Sequence, residues 1–353
     1  MPGSLATLYS PLASGKVRCT ACARYCVIPP GSRGFCHVRA NEDGRLKLLT
    51  YGRAAALQLD PVEKKPLAHY RPGSRVLSIG TVGCNWRCQY CQNFEISQEP
   101  EVGGRPLSPA QAVARALELG ADGVTFTYNE PTIFIEYALD IIAEAHRRGL
   151  FANFVTNGYM TPEAVALAGP HLDAVSVDFK GSGEEGFLRR YITARGAGPI
   201  RATLVDLHRR GVHVEVTNLI VPRVGDDEAT LRDLAGFVAS EVGADTPFHL
   251  LRWHPDYRMR DLPPTPIPTL ERLHRIARNE GLRFVYLGNV WGHPLEHTYC
   301  PGCGAVAVER FGFSLRSWNL DRSGRCRRCG TALPIVGHPP ENYRGDRAFP
   351  MVA

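Results

Sequence analysis

The chain has 353 residues, 41 of them Lys or Arg against 35 Asp or Glu, for a formal net charge of +6, and 44% are hydrophobic. That length suits one large α/β domain with appendages, or two to three small ones. No apolar run approaches the roughly 18 residues of a membrane span, and the N-terminus lacks the basic start, apolar core and cleavage site of a signal peptide, so a cytoplasmic protein without membrane contact is expected.

Residues 1–70 show little periodicity and many turn residues, as in "IPPGSRGFC". From residue 75 short β-branched or aromatic runs begin to alternate with helical patterns. The runs are "RVLSIGTV" (75–82), "GVTFTY" (123–128), "FANFVT" (151–156), "DAVSVDF" (173–179), "VHVEVTNLIV" (212–221) and "PFHLLRW" (247–253), with "LRFVYLG" (282–288) as a candidate seventh. They have the character of buried parallel strands. Helices are announced by Ser108 with Pro109 and Gly120, by Thr161 with Pro162, and by the basic end and Gly149 of "PTIFIEYALDIIAEAHRRG"; 199–210, 227–240 and 269–280 are amphipathic. Repeated strand–helix units predict an α/β fold, an incomplete (β/α)6 TIM-like barrel, with a flat doubly wound sheet as the alternative. After about 295 the alternation stops. The expected division is an N-terminal Cys-rich segment (1–70), the partial barrel (71–294) and a Cys- and Gly-punctuated C-terminal module (295–353).

Eleven cysteines fall into three groups with none left over. Such tight C-x2-C spacing without an export signal points to metal rather than disulfides. The middle group, Cys84, Cys88 and Cys91 in "GCNWRCQYC", follows the first run at 75–82, on a loop at its C-terminal end. A closed tetrahedral site wants four ligands, and a four-iron cluster held by three cysteines leaves one iron open. The missing ligand is then a substrate or cofactor. A structural zinc loop completed by a distant ligand is the competing reading.

C-x3-C-x2-C after the first strand of a β/α barrel resembles the radical S-adenosylmethionine (SAM) superfamily. The resemblance implies a [4Fe-4S] cluster on Cys84, Cys88 and Cys91, with SAM chelating the open iron. It also implies reductive cleavage to methionine and a hydrogen-abstracting 5′-deoxyadenosyl radical, and a flavodoxin- or ferredoxin-like electron donor. Further matches lie at successive strand ends. In "TFTYNEPT", Asn129 and Glu130 stand where the superfamily's Gly-Gly-Glu-type motif contacts the SAM amino group, and only the Glu carries over well. Asn157 lies in "VTNGY". In "SVDFKG", Ser176, Asp178 and Lys180 alternate on one face; the segment resembles the ribose- and carboxylate-binding stretch of the pyruvate formate-lyase activating-enzyme group. His254 in "LLRWHPDY" stands where that group has a SAM-contacting histidine. A turn-capping Asp178, a solvated Lys180 and a satisfied loop His254 are the plain alternatives. Residues 60–98 closely resemble the radical enzyme of the AmmeMemoRadiSam system, and Trp86, often Phe there, keeps an aromatic wall beside the cluster. That resemblance implies AMMECR- and Memo-family proteins as associates, and leaves the substrate open.

Cys300, Cys303, Cys326 and Cys329 form two C-x2-C knuckles, the pattern of a structural zinc ribbon. Its basic knuckle (Arg325, Arg327, Arg328) suits a solvated rim better than nucleic acid. Cys19, Cys22, Cys26 and Cys36 make another four-ligand set, for zinc or an auxiliary iron–sulfur cluster. Spacing does not separate these, and the lack of a visible electron-transfer demand favours zinc. "PVEKKP" (61–66) reads as a lid, an anion site or a solvated turn. A radical SAM enzyme is therefore expected. The alternatives are a glycyl-radical activase and a zinc-ribbon nucleic-acid-binding protein on a degenerate barrel.

Overall fold

A computed structural model describes residues 4–341 and 343. Its centre is an eight-stranded sheet: β1 (Ala56–Pro61), β2 (Arg75–Gly80), β3 (Gly123–Phe126), β4 (Phe151–Thr156), β5 (Ala174–Lys180), β6 (His213–Ile220), β7 (Phe248–Arg252) and β8 (Val285–Gly288), adjacent in that order. Strands β2 to β8 are parallel. β1 runs antiparallel along β2, from Ala56 opposite Gly80 to Pro61 opposite Arg75. All seven runs expected from the sequence are strands, so the six-unit barrel expectation falls one parallel strand short. β1 lies in the stretch read as turn-rich. Among the described residues no ladder joins β8 to β1.

Helices return the chain between the parallel strands: α1 (Pro109–Glu118), α2 (Ile135–Arg147), α3 (Pro162–Ala168), α4 (Gly198–Arg209), α5 (Glu228–Phe237) and α6 (Ile267–Asn279). Their starts are chemically specified. Ser108 and Gln111 form a reciprocal capping box on α1 behind Pro109, Thr161 accepts from the Ala164 N–H on α3, and Asp227 accepts from the Thr230 N–H on α5. α2 buries Ile135, Ala138, Ile142 and Ala145, a stripe at the helical period, against the sheet.

The N-terminal residues do not stand apart. Val17, Ile28, Leu46 and Leu48 belong to the same buried cluster as the sheet and its helices. Arg39, 1% exposed, forks onto Glu136 of α2 at 2.6 and 3.2 Å and donates from Nε to the Ile133 carbonyl at 2.9 Å. The C-terminal module has its own small core of Ala307, Val308, Leu315, Leu320 and Leu333 beside Cys300 and Cys326. It is built on the antiparallel pair β9 (Val306–Phe311) and β10 (Ser314–Trp318).

Candidate active site

The C-terminal ends of the strands open into a cavity of about 1230 Å³. Residues of β1, β5, β6, β7 and β8 all line it, so the sheet curls round it. Cys84, Cys88 and Cys91 line it together. The loop that carries them leaves β2 through Gly83, at φ +81°. A side chain there would run into the Cys36 carbonyl oxygen, which makes glycine the residue that fits. Asn129 braces the same loop. Its Oδ1 accepts from the Thr81 N–H at 3.1 Å, and its Nδ2 donates to Thr81 Oγ1 at 3.0 Å and to the Gly83 carbonyl at 2.8 Å. Arg87 pins the far side through the Cys84 carbonyl at 2.8 Å.

Burial pushes the Cys84 thiol up to about 12, and raises Cys88 and Cys91 as well. Only a cationic group bound among them would make three thiolates favourable here. The cavity that the three thiols line is far wider than one tetrahedral ion needs, and it leaves room for a larger metal group. Around the cavity Trp86 Nε1, Tyr90 OH, Asp178 Oδ1 and Trp253 Nε1 are buried without a hydrogen-bond partner. Unsatisfied buried polar atoms are rare, and their gathering on residues that line one cavity marks the place of a polar ligand. On both counts the residues fit a three-cysteine cluster with a ligand beside it.

The other residues singled out in the sequence divide. Asn129, Glu130, Asn157, Asp178, Lys180 and His254 line the cavity. Ser176 does not: it lies lower on β5, fully buried, with its hydroxyl unpartnered. Lys180 pairs with Asp178 Oδ2. Burial opposes its charge, but Asp178 more than offsets this and holds the ammonium above its usual range, with Cys88 and Cys91 adding to the pull. Glu130 is engaged on both oxygens. Oε1 accepts from Thr132 N at 3.0 Å, Thr132 Oγ1 at 2.5 Å and Thr156 Oγ1 at 2.7 Å, and Oε2 from Asn157 N at 2.8 Å. It ties the end of β3 to the end of β4. Asn157 reaches on to Asn85 Oδ1 at 2.7 Å, beside Cys84. His254 is exposed at the rim, where the Gln92 amide donates to its Nε2.

Several further residues line the cavity. Lys65, one of the "PVEKKP" lysines, is 2% exposed and bonds Asp60 Oδ2 at 2.6 Å, so a solvated turn is not its role; Lys64 reaches Asp60 Oδ1 at 2.9 Å. Burial lowers Lys65 to about 8; burial would raise Asp60, but Lys65 overrides it and keeps the carboxyl well below its ordinary range. Tyr128, at φ +71°, donates from its hydroxyl to Asp60 Oδ2 at 2.9 Å. The floor holds His249, whose Nε2 meets Glu215 Oε2 at 2.7 Å, and Tyr286. The C-terminal module adds Glu296, Arg310, Gly312 and Phe313 to the wall. Nothing in the local sequence around Arg310 announces this, because it reaches the wall through tertiary packing.

The four C-terminal cysteine sulfurs lie within 4.8 Å of one another, with Cys300 to Cys329 at 3.5 Å and Cys303 to Cys326 at 3.8 Å. Cys19, Cys22, Cys26 and Cys36 all face a second, small cavity shared with Arg24, Arg39 and Asn85. No helix among the described residues is long and apolar enough to cross a membrane.

The sequence profile of the radical SAM superfamily matches residues 78–238. "Uncharacterized protein MJ0808" of Methanocaldococcus jannaschii is 42% identical over 334 residues, covering 94% of this chain and 99% of that protein. The "Pyruvate formate-lyase-activating enzyme" of Clostridium pasteurianum is 26% identical over 207 residues, 54% of this chain and 84% of that one. Among solved structures, a domain of pyruvate-formate lyase-activating enzyme from Bacteroides vulgatus superposes with a TM-score of 0.42 at 18% identity, covering 48% of this chain and all of that one.

Proposed function

The chain belongs to the radical SAM superfamily, and we propose that it holds a [4Fe-4S] cluster on Cys84, Cys88 and Cys91 with SAM at the open iron. When bound, this pair supplies one-electron reductive cleavage of SAM to methionine and a hydrogen-abstracting 5′-deoxyadenosyl radical, the electron coming from a flavodoxin- or ferredoxin-like donor. The observation that carries the reading is the convergence of three cysteines and four unpartnered polar atoms on one cavity.

The chain's own residues have distinct tasks. Lys180 places a positive charge near Cys88 and Cys91 and offsets their thiolate charge. Asp178 keeps Oδ1 open to accept from a ribose hydroxyl. Asn129 holds the cysteine loop, Glu130 and Asn157 lock the neighbouring strand ends to it, and Trp86 and Tyr90 exclude water from one side. Ser176 is too deep for a direct contact, and His254 guards the rim.

The cavity exceeds the ~300–1,000 Å³ of ordinary small-molecule sites, which leaves room for a second molecule beside SAM. That substrate, a small molecule or a protein segment, meets a wall built partly by the C-terminal module. Zinc suits the module: tetrahedral bonds of about 2.3 Å place sulfurs about 3.8 Å apart, and the observed pairs are at 3.5 and 3.8 Å. Three sequence segments divided at residues 70 and 294, the first packed into the core of the barrel and lending it β1, a cytoplasmic location, and partnership with AMMECR- and Memo-family proteins complete the proposal. A glycyl-radical activase is the second reading, favoured by the similarity to the Clostridium enzyme. Nucleic-acid binding is weakened, since Arg325 and Arg327 donate to the Gly330 and Leu320 carbonyls of their own knuckle.

The test is anaerobic reconstitution followed by reduction with SAM. Methionine and 5′-deoxyadenosine should form in equal amounts, and Cys88→Ala should abolish both while leaving the C-terminal zinc in place. Cleavage that survives Cys88→Ala would refute the assignment, and salt-dependent nucleic-acid binding without SAM turnover would favour the other class.

A further inference from the structure

We propose that Lys65 is the attachment point of a carbonyl substrate, which it holds as a Schiff base inside the cavity that the cysteine loop lines. The chain has five lysines: Lys16, Lys47, Lys64, Lys65 and Lys180. Three of them, Lys64, Lys65 and Lys180, line the cavity. Lys65 is the most buried of the three, its side chain 3% exposed against 40% for Lys64 and 17% for Lys180. Lys180 has its task beside Cys88 and Cys91. Reductive cleavage of SAM needs no further amine, so Lys65 is left for the second molecule.

The surroundings suit an amine that gives up its proton. One carboxylate serves two ammonium groups: Asp60 accepts from Lys64 Nζ on Oδ1 at 2.9 Å and from Lys65 Nζ on Oδ2 at 2.6 Å. Lys64 reaches water and stays charged there. Lys65 does not reach it, and burial lowers its ammonium to about 8; Asp60 pulls the other way, and the charge of Lys64 adds to the lowering. A desolvated lysine beside another cation is the setting in which an amine becomes a nucleophile near neutral pH. Tyr128 supplies a further wall. Its hydroxyl donates to Asp60 Oδ2 at 2.9 Å, and Lys65 Nζ stands 5.0 Å from its ring centroid. Tyr128 holds this place at φ +71°, an unfavourable conformation for an aromatic residue, and strain of that kind gathers at ligand sites. The Tyr128 carbonyl accepts from Asn93 Nδ2 at 3.0 Å, two residues past Cys91, so one residue ties the lysine to the cysteine loop.

The neutral amine adds its lone pair to the carbonyl carbon. The C–N bond forms as the C=O π pair moves to oxygen, and that oxygen leaves as water with one amine proton and one proton from solvent. The iminium keeps the other amine proton and one positive charge, so it replaces the ammonium on Asp60 without a change of charge. Arg310 narrows the substrate to a carbonyl compound that also carries an anionic group, in its simplest form a 2-oxo acid. It lines the same cavity and bonds the Ala68 carbonyl, three residues on from Lys65, at 2.9 Å. Its buried Nε has no partner, and the two carboxyls that feel its charge, Glu63 and Glu296, are both raised by burial.

The proposal rests on the reading of this cavity as the substrate's place, but its test does not need SAM turnover. The full chain, reconstituted anaerobically, is incubated at about pH 8 with pyruvate and sodium cyanoborohydride, which reduces an iminium to a stable secondary amine. The mass of the intact chain is measured, and the modified lysine is located by peptide fragmentation. The expected result is one reduced pyruvate unit per chain, with at least about ten-fold more label on Lys65 than on any other lysine. Lys65→Arg keeps a cation on Asp60 and forms no imine, so it should lose the label, whereas Lys64→Arg should keep it. Methyl pyruvate, as electrophilic but uncharged, should label Lys65 at least about ten-fold less; equal labelling would overturn the anionic class. Label spread over the exposed lysines without excess on Lys65, or label that survives Lys65→Arg, would overturn the proposal. Label on Lys65 in a chain that never cleaves SAM would refute the radical reading instead and leave this one standing.

Discussion

Replacing Glu130 by alanine separates a carboxylate that touches ligand from one that holds the strand ends together. Glu130 is 2% exposed and accepts from four donors, two of them hydroxyls and two of them backbone N–H groups. The hydroxyls of Thr132 and Thr156 rotate to other acceptors. The N–H groups of Thr132 and Asn157 are fixed in the chain. Each buried N–H stranded in this way costs about 1–3 kcal/mol, so Glu130→Ala should destabilise the fold by about 2–6 kcal/mol. Glu130→Gln keeps one oxygen for the Thr132 and Thr156 side and turns an NH₂ toward the Asn157 N–H, so about half that loss is expected. The measurement is urea unfolding of the metal-free chain, followed by tryptophan fluorescence, alongside SAM binding to the reconstituted protein by equilibrium dialysis. Binding should weaken in both variants, because Asn157 loses its anchor and with it the hold on Asn85. An Ala variant that unfolds at the wild-type urea concentration would refute the strand-tying role and leave direct ligand contact as the explanation.

Gly83→Ala should reduce iron loading on the active-site cysteines while leaving the C-terminal zinc untouched, since its methyl meets the Cys36 carbonyl and φ is +81°; full loading, measured as iron per chain in a background without the N-terminal cysteines, would sink this. Glu63 predicts a pH effect. Its Oε1 accepts from the Gly73 N–H at 2.7 Å, its Oε2 has no partner, and burial raises the carboxyl to about 7. Between its ordinary value near 4.5 and about 7 the folded chain keeps a proton that the unfolded chain has released, so stability falls as pH rises through that window, by about 3 kcal/mol in all. Glu63→Gln should remove this fall, and unfolding curves of the two proteins that shift in parallel from pH 4.5 to 8 would contradict the assignment.

Where chemistry is local in sequence, the fold could be read directly. The seven parallel strands are short runs such as Val124–Phe126 and Phe154–Thr156, and Ser108, Thr161 and Pro162 declare their helices outright. Cysteine spacing announced all three groups. β1 was invisible because Ala56–Pro61 contains no β-branched or aromatic residue; pairing with β2, not propensity, makes it a strand. The site shows the same division. Asn129, Glu130 and Asn157 stand at the strand ends where the motifs put them, but that Glu130 binds backbone N–H groups follows from β3 and β4 lying side by side. Ser176 shares the alternation of Asp178 and Lys180, and alternation gives a face without giving depth. Lys65 and Arg310 are placed by partners, Asp60 and the Thr298 hydroxyl, that no periodicity links to a cavity.

The gap between β8 and β1 bears on how the chain waits for its iron. Open sheets expose rows of unpaired backbone groups that recruit other chains. Here one edge of the parallel strands is taken by β1. Alongside the other, His69 is fully buried with Nε2 2.6 Å from the Tyr286 hydroxyl of β8, which in turn lies 2.9 Å from Thr298 Oγ1. Arg310 reaches from β9 to the Ala68 carbonyl at 2.9 Å and closes the row. The seam is thus sewn by polypeptide, not by cofactor. A freshly made chain, still without metal on its active-site loop, therefore hides its sticky margin, and it should accumulate in soluble form under iron starvation and not join the aggregates of the cell.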